Sequence, residues 1–188
     1  MEHHQLDLFS VSETRATPIG RPDRLLMDSD ALVRWKSQIA AYQQRARESK
    51  PAFQGTLFDL TPTHTNPDAI DPFSLTLQSM AFWRWPADSP GSACLYFIID
   101  AAMPLLLYVG ETCRSNLRWK GVHDCKRYLE NYQSLHYQHG IQTAVNVAFW
   151  WNAPVKTQDR QQLEGALITK WRSPFNKENW TLWGRPFG

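Results

Sequence analysis

Three groups of residues in this chain carry side chains suited to chemistry. The first is a pair of phenols, Tyr96 and Tyr108, set in the apolar runs 94–99 and 105–109, the second closed by Gly110. The second is a basic patch. Between Arg114 and Arg127 stand Arg114, Arg118, Lys120, Lys126 and Arg127 against a single acid, Asp124, a local charge beside which a phosphate backbone can lie. The third is Glu164, the single acid in the span Gln161 to Trp171 and neighbour to a run of core-like residues. A carboxylate at the edge of a core is uncommon without a partner, and a bound cation is one such partner. Plainer alternatives stand beside each: tyrosines filling a sheet face, a solvated charge run, and an ion pair between Arg118 and Glu164. Cys113, His123 and Cys125 lack the paired spacing of a zinc site.

Positioning these groups requires a small set of elements. The runs 94–99 and 105–110 are short and aromatic or branched, and the turn-forming stretch Asp100 to Pro104 separates them, which predicts a β-hairpin. Strand side chains alternate faces, so pairing can bring both tyrosines to one side. Asn116 can cap a short helix carrying Arg118. A further helix is expected over Asp124 to Gln138, with Cys125, Tyr128, Leu129, Tyr132 and Leu135 inward. Val145 to Trp151 reads as a third strand. Thr157 is a candidate cap for the helix that carries Leu163, Glu164, Ala166, Leu167 and Trp171, which must stop before Pro174.

Upstream, residues 1–27 read as a flexible tail, 28–50 as a helix capped by Asp28 or Ser29, 51–72 as a linker rich in Thr, Asn, Asp and Pro, and 73–188 as the packed domain. In that helix Leu32, Val33, Ile39, Ala40 and Tyr42 recur at roughly helical spacing, the mark of a packing or spacer helix. The 188 residues suffice for one domain with appendages, and 20 basic against 18 acidic residues leave no bulk charge to argue for or against nucleic acid. Three cysteines without a pairing pattern point to a reducing compartment. No apolar run approaches the length of a membrane span, and no secretory leader is evident, so a cytoplasmic location away from the membrane is expected.

Two pentapeptides break the polar composition of the tail and linker. Gln5-Leu6-Asp7-Leu8-Phe9 resembles the bacterial sliding-clamp-binding motif, in which a glutamine, an aliphatic residue and a Leu-Phe pair enter a clamp pocket. Gln54-Gly55-Thr56-Leu57-Phe58 is a weaker match through Gln54, Leu57 and Phe58. The alternative is that Leu8 and Phe9 pack back on the domain. Two tethered sites would raise apparent affinity through effective concentration.

The ordered set Leu95-Tyr96, Tyr108-Val109-Gly110, Arg118, Glu164 and Pro174-Phe175-Asn176 resembles the GIY-YIG nuclease superfamily over about residues 93–176. Arg118 follows Tyr108 by ten residues, Glu164 sits in Leu163-Glu164-x-x-Leu167-Ile168, and Asn176 follows Glu164 by twelve. The resemblance implies an α+β fold: a three-stranded mixed sheet flanked by helices, behind a partly disordered N-terminal region with one helix. It implies metal-dependent cleavage of DNA phosphodiesters. Glu164 would hold Mg²⁺ or Mn²⁺, Arg118 would neutralise phosphate charge, and Tyr96 and Tyr108, aided by His123, would position or deprotonate the water. Asn176 would orient the glutamate or contact the backbone, and Arg114, Lys120, Lys126 and Arg127 would hold DNA. Glu111, three after Tyr108, stands where the repair members carry lysine, and Val122 where a His or Tyr is common. With the clamp-like peptides, the expected protein is a bacterial, nucleoid-associated endonuclease acting on replication or repair intermediates. The alternative is a non-cutting DNA-binding or scaffold module that kept the fold.

Overall fold

Helix α1 (Ser29–Glu48) begins where the Asp28 carboxylate accepts the Ala31 N–H at 2.7 Å, so of the two candidate caps Asp28 is the one used. In this computed structural model the described residues are 27–49, 66–80, 92–113 and 124–185. The buried stripe of α1 is Leu32, Lys36, Ile39 and Gln43, at helical spacing, so the helix packs into the core of the sheet rather than standing apart. Val33, expected inward, is exposed, and two polar residues take core positions because each finds buried partners.

Among the described residues the sheet has four strands in the order β1-β4-β2-β3: β1 (Leu77–Ser79), β2 (Cys94–Asp100), β3 (Leu105–Thr112) and β4 (Val145–Trp150). Every neighbouring pair is antiparallel, which corrects the expected three-stranded mixed sheet. The cause is topological. The hairpin reverses β2 into β3, and α2 (Asp124–Gln138) carries the chain back so that β4 runs against β2 on its other side. The added strand, β1, is only three residues long, too short for an alternating pattern to announce it.

All seven residues of β2 are buried, since both faces of the sheet are covered. On one face Cys94, Tyr96, Ile98, Leu105, Leu107, Val147 and Phe149 pack with Cys125, Tyr128, Leu129 and Tyr132 of α2 and Ile39 of α1. On the other, Leu95, Phe97, Ile99, Leu106, Val109 and Ala148 meet Leu163, Leu167, Ile168 and Trp171 of α3 (Thr157–Trp171). Thr157 is the first residue of α3 and not its cap, and Lys156 in the capping position makes no side-chain capping hydrogen bond, its ammonium pairing instead with Asp159 at 3.3 Å. Arg160, buried at 1 % exposure, instead ties the first turn down from within: its guanidinium donates to the carbonyls of Pro154 and Val155 and to the carboxylate of Glu111 on β3. The helix ends with Arg172 in the left-handed region (φ 48°), its guanidinium 4.5 Å from the ring centroid of Tyr42 on α1.

Among the described residues the edge strand β3 is paired on its outer side by side chains and turns rather than by a fifth strand. Gln43 accepts from the Leu106 N–H at 2.8 Å and donates to the Leu106 carbonyl at 2.9 Å, repeating the two bonds of a strand neighbour. The same amide donates to the Trp171 carbonyl at 3.1 Å, and Tyr42 donates to the Lys170 carbonyl at 3.2 Å, so α1 clamps β3 and the end of α3 together.

Beneath this clamp lies a closed polar cluster. Lys36 donates to Asp100 at 3.0 Å and to His136 Nε2 at 2.9 Å, and Tyr132 donates to Asp100 at 2.6 Å. Because Nε2 accepts from an ammonium, the imidazole proton sits on Nδ1, which donates to the Tyr132 carbonyl at 2.7 Å. Burial holds His136 below the usual imidazole range, and the Lys36 charge adds to that. For Asp100 burial pulls upward, but the Ala144 N–H, the Tyr132 hydroxyl and Lys36 outweigh it and hold the carboxyl below its ordinary range. No helix among the described residues is long and apolar enough to cross a membrane.

Candidate active site

Two-residue alternation along a perfect hairpin would put Tyr108 on the face opposite to Leu105 and Leu107. The ladder is not perfect. Ile98 pairs with Tyr108 but Ile99 with Leu106, so Leu107 is an extra residue in β3. A bulge of this kind re-aims the side chains beyond it. Leu105 and Leu107 stay on the α2 face, and Tyr108 and Gly110 join them there beside Tyr96. The two tyrosine rings lie 5.9 Å apart with their planes 32° from parallel.

Gly110 completes the pair. It lies opposite Tyr96 in the ladder, and a Cβ at this position would meet the Tyr96 ring and hydroxyl and come within 2.8 Å of Tyr108 Cε1. The glycine is therefore required by the close approach of two aromatic side chains to the backbone, not by a turn.

The segment after α3 fixes the bulged strand. The Phe175 N–H donates to the carbonyl of Leu107, the extra residue. Asn176 brackets Val109: its Oδ1 accepts the Val109 N–H and its Nδ2 donates to the Val109 carbonyl, both at 2.9 Å. Ser173 Oγ donates to the same Oδ1 at 2.6 Å. Tyr108 and Gly110 flank Val109, so this amide sets where both stand. Of the two expected parts for Asn176, orienting the glutamate or contacting the backbone, its side-chain hydrogen bonds go to the backbone of β3 and to Ser173, which holds the strand that bears Tyr108.

A cleft of about 440 Å³ opens at this edge, lined by Tyr108, Asp124, Cys125, Tyr128, Glu164, Ile168, Phe175, Asn176, Lys177 and Glu178. It brings together Tyr108, Glu164 and Asn176 of the residues singled out in the sequence, from β3, α3 and the segment after α3. Tyr96 has no exposed surface, so it does not reach the cleft directly, and it lies behind the lining against Tyr108 and Gly110. Lys126 and Arg127 lie on the first turn of α2 next to Asp124 at the cleft edge. Arg114, Arg118, Lys120 and His123 lie outside the described residues, as do both clamp-like peptides, Gln5–Phe9 and Gln54–Phe58. Arg118 and His123 belong to the ten-residue connection 114–123 that leads into Asp124, itself part of the cleft wall.

The charge of the lining has a chemical consequence. Asp124, Glu164 and Glu178 face a single ammonium from among the described residues, Lys177. A phosphodiester entering such a space meets repulsion that a divalent cation would offset. Glu164 is half-buried, and among the described residues no three His, Cys, Asp or Glu side chains gather into a ready-made metal cage. Carboxylates that line a roomy cleft without gathering into a cage suit Mg²⁺ or Mn²⁺, ions that keep much of their water shell, better than they suit zinc. Cys94, in place of the motif's first glycine, is buried in the core, and burial pushes its thiol up to about 12. The residues missed in the sequence are Asp124, Lys177 and Glu178 on the cleft and Gln43 and Ser173 behind it. For Lys177 and Glu178 the signal was adjacency to Asn176.

Comparison of the chain with family models, with curated proteins and with solved structures returned no match.

Proposed function

We propose that the chain is a divalent-metal-dependent DNA endonuclease of the GIY-YIG type, brought to replication or repair intermediates by the sliding clamp. The observation that carries this reading is the convergence on one cleft of Glu164, Tyr108 and Asn176, with Tyr108 turned there by a bulge and made room for by Gly110. Glu164 would hold Mg²⁺ or Mn²⁺, and the bound ion would supply charge neutralisation on the phosphoryl oxygens and a more acidic water. Tyr108 orients that water from the cleft wall. Tyr96, sealed beneath, fixes the ring of Tyr108, and Asn176 fixes the backbone that bears it. Arg118 supplies the bidentate guanidinium for the phosphate, and His123 accepts the proton. The peptide Gln5–Phe9, with Gln54, Leu57 and Phe58 as a second contact, delivers the domain to DNA.

The test is a nicking assay with Mg²⁺ on branched, mismatched and single-stranded DNA. Cutting by the wild type and its loss in Glu164→Ala, at an unchanged urea midpoint, is the expected outcome. Undiminished cutting by that variant rejects Glu164 as the metal ligand. The sealed position of Tyr96 is the one observation that favours a non-cutting module with the same fold, and DNA binding without cleavage on every substrate would establish it. A Gln5–Phe9 peptide should bind the clamp and lose binding when Leu8 and Phe9 are both alanine.

A further inference from the structure

A cluster of cations adjoins the acids of the cleft through Lys177 and Asp124. Tyr128 and Trp180 meet edge to face at 6.1 Å and form an aromatic shelf. Three cations rest on it: the Arg127 guanidinium 5.4 Å from the Tyr128 centroid, the Arg185 guanidinium 5.4 Å from the Trp180 centroid, and Lys177 Nζ 6.0 Å from the latter. Ring faces hold cations through their quadrupole and do not cancel the charge, so long side chains are steadied while their field still projects outward. Arg127 and Lys177 share one acid, Asp124, at 3.6 and 3.3 Å, and all three side chains are more than half exposed. Pairs this exposed contribute about 0–1 kcal/mol and exchange readily for another anion. Lys177 and Asp124 also line the cleft, so the shelf and the candidate active site are continuous.

We infer that Arg127, Lys177 and Arg185 form a track for the DNA backbone phosphates that flank the cleft, with Asp124 standing in for a phosphate until the strand arrives. Arg127 was legible in the sequence as part of a basic run, whereas Lys177 and Arg185 join it only through the shelf. The inference rests on the nuclease reading above and adds to it the path of the strand leaving the site.

Binding of the full chain to a short fluorescein-labelled DNA duplex, and to its single strand, is measured by anisotropy in EDTA across a salt series. Each phosphate contact adds about 0.9 to the slope of log K against log salt for duplex and about 0.7 for a single strand. Lys177→Ala/Arg185→Ala should therefore flatten the slope by about 1.8 or about 1.4. Asp124→Asn should tighten binding by up to about fivefold, because it removes a competing anion. Urea midpoints confirm that both variants remain folded. A double variant with the wild-type slope, or weaker binding by Asp124→Asn, overturns the track while leaving the nuclease reading in place if the wild type binds and cuts. A wild type that binds neither DNA overturns both.

Discussion

Adding one methyl group at Gly110 should cost more than any surface change in this protein. The new Cβ would lie 2.8 Å from Tyr108 Cε1 and closer still to the ring and hydroxyl of Tyr96. Carbon atoms rest at about 3.5–4.0 Å, so Tyr108 alone must retreat by about 0.7 Å or more. Tyr96 is fully buried between Gly110 on one side and Phe149 on the other in the ladder, and Asn176 pins the backbone of Val109 next door. Tyr96 cannot yield without a shift in the sheet, and Tyr108 can give way only toward the cleft it lines. Overpacking of a core costs about 1–3 kcal/mol, and a site closed on this many sides belongs at the upper end. With a urea slope of about 2 kcal/mol per molar, Gly110→Ala should lower the unfolding midpoint by about 1.5 M. The control is the same substitution at Gly165, inside α3, where nothing lies within 4 Å of the added carbon. There alanine should stabilise by about 0.5–1 kcal/mol through helix propensity. Opposite signs for one methyl group at two glycines are the expected pattern. A Gly110→Ala midpoint within experimental error of wild type would refute the packing of the two tyrosines against the backbone described above.

Asn176→Asp keeps the shape of the side chain but replaces a donor with an acceptor facing the Val109 carbonyl, and should cost about 2–3 kcal/mol in urea unfolding, a penalty that eases at acid pH as the carboxyl regains a proton. The folded state depresses the His136 pKa, so between the unfolded value and the folded one the unfolded chain binds a proton that the native chain does not. Stability should therefore be full above about pH 6.5 and fall as the solution is acidified below it, at no more than about 1.4 kcal/mol per pH unit for this group. In thermal melts from pH 7.5 to 5, His136→Gln should flatten that decline, and an unchanged profile would exclude His136 as its source.

The hairpin and α2 were readable because their signals are local: two apolar runs around a turn, and a helical stripe of Cys125, Tyr128, Leu129, Tyr132 and Leu135 that ends at Gln138. What placed Tyr108 was not local. Leu105, Leu106 and Leu107 give no hint of which leucine is the extra one, and the bulge is decided by the Phe175 N–H and Asn176 reaching across from the far end of the chain. Nothing local in the sequence marks Lys36, Gln43 and Arg160 as core residues, yet all three are buried. Their core positions follow from partners 64, 63 and 49 residues away, and no window along the chain contains both members. Thr157 has the side chain of a cap, yet the helix start is held by Arg160 from inside, which leaves the threonine one position within. The meeting of Glu164 and Tyr108 on one cleft is what the family resemblance implied. The acid-lined interior and the cation-bearing shelf beside it emerge only when α2 and the residues after Asn176 fold against each other.

The amides of Gln43 and Asn176 have a meaning for how this protein behaves in company. A bare outer strand is an invitation to any passing polypeptide, and here every inviting group from Leu106 to Val109 that these amides and the Phe175 N–H satisfy has already been answered from within the same chain. Sheet growth from copy to copy is thereby discouraged on this flank. A shortened chain lacking α1 would lose the two Gln43 bonds of these five and, with them, an anchor for the end of α3, leaving this flank more open to self-recruitment.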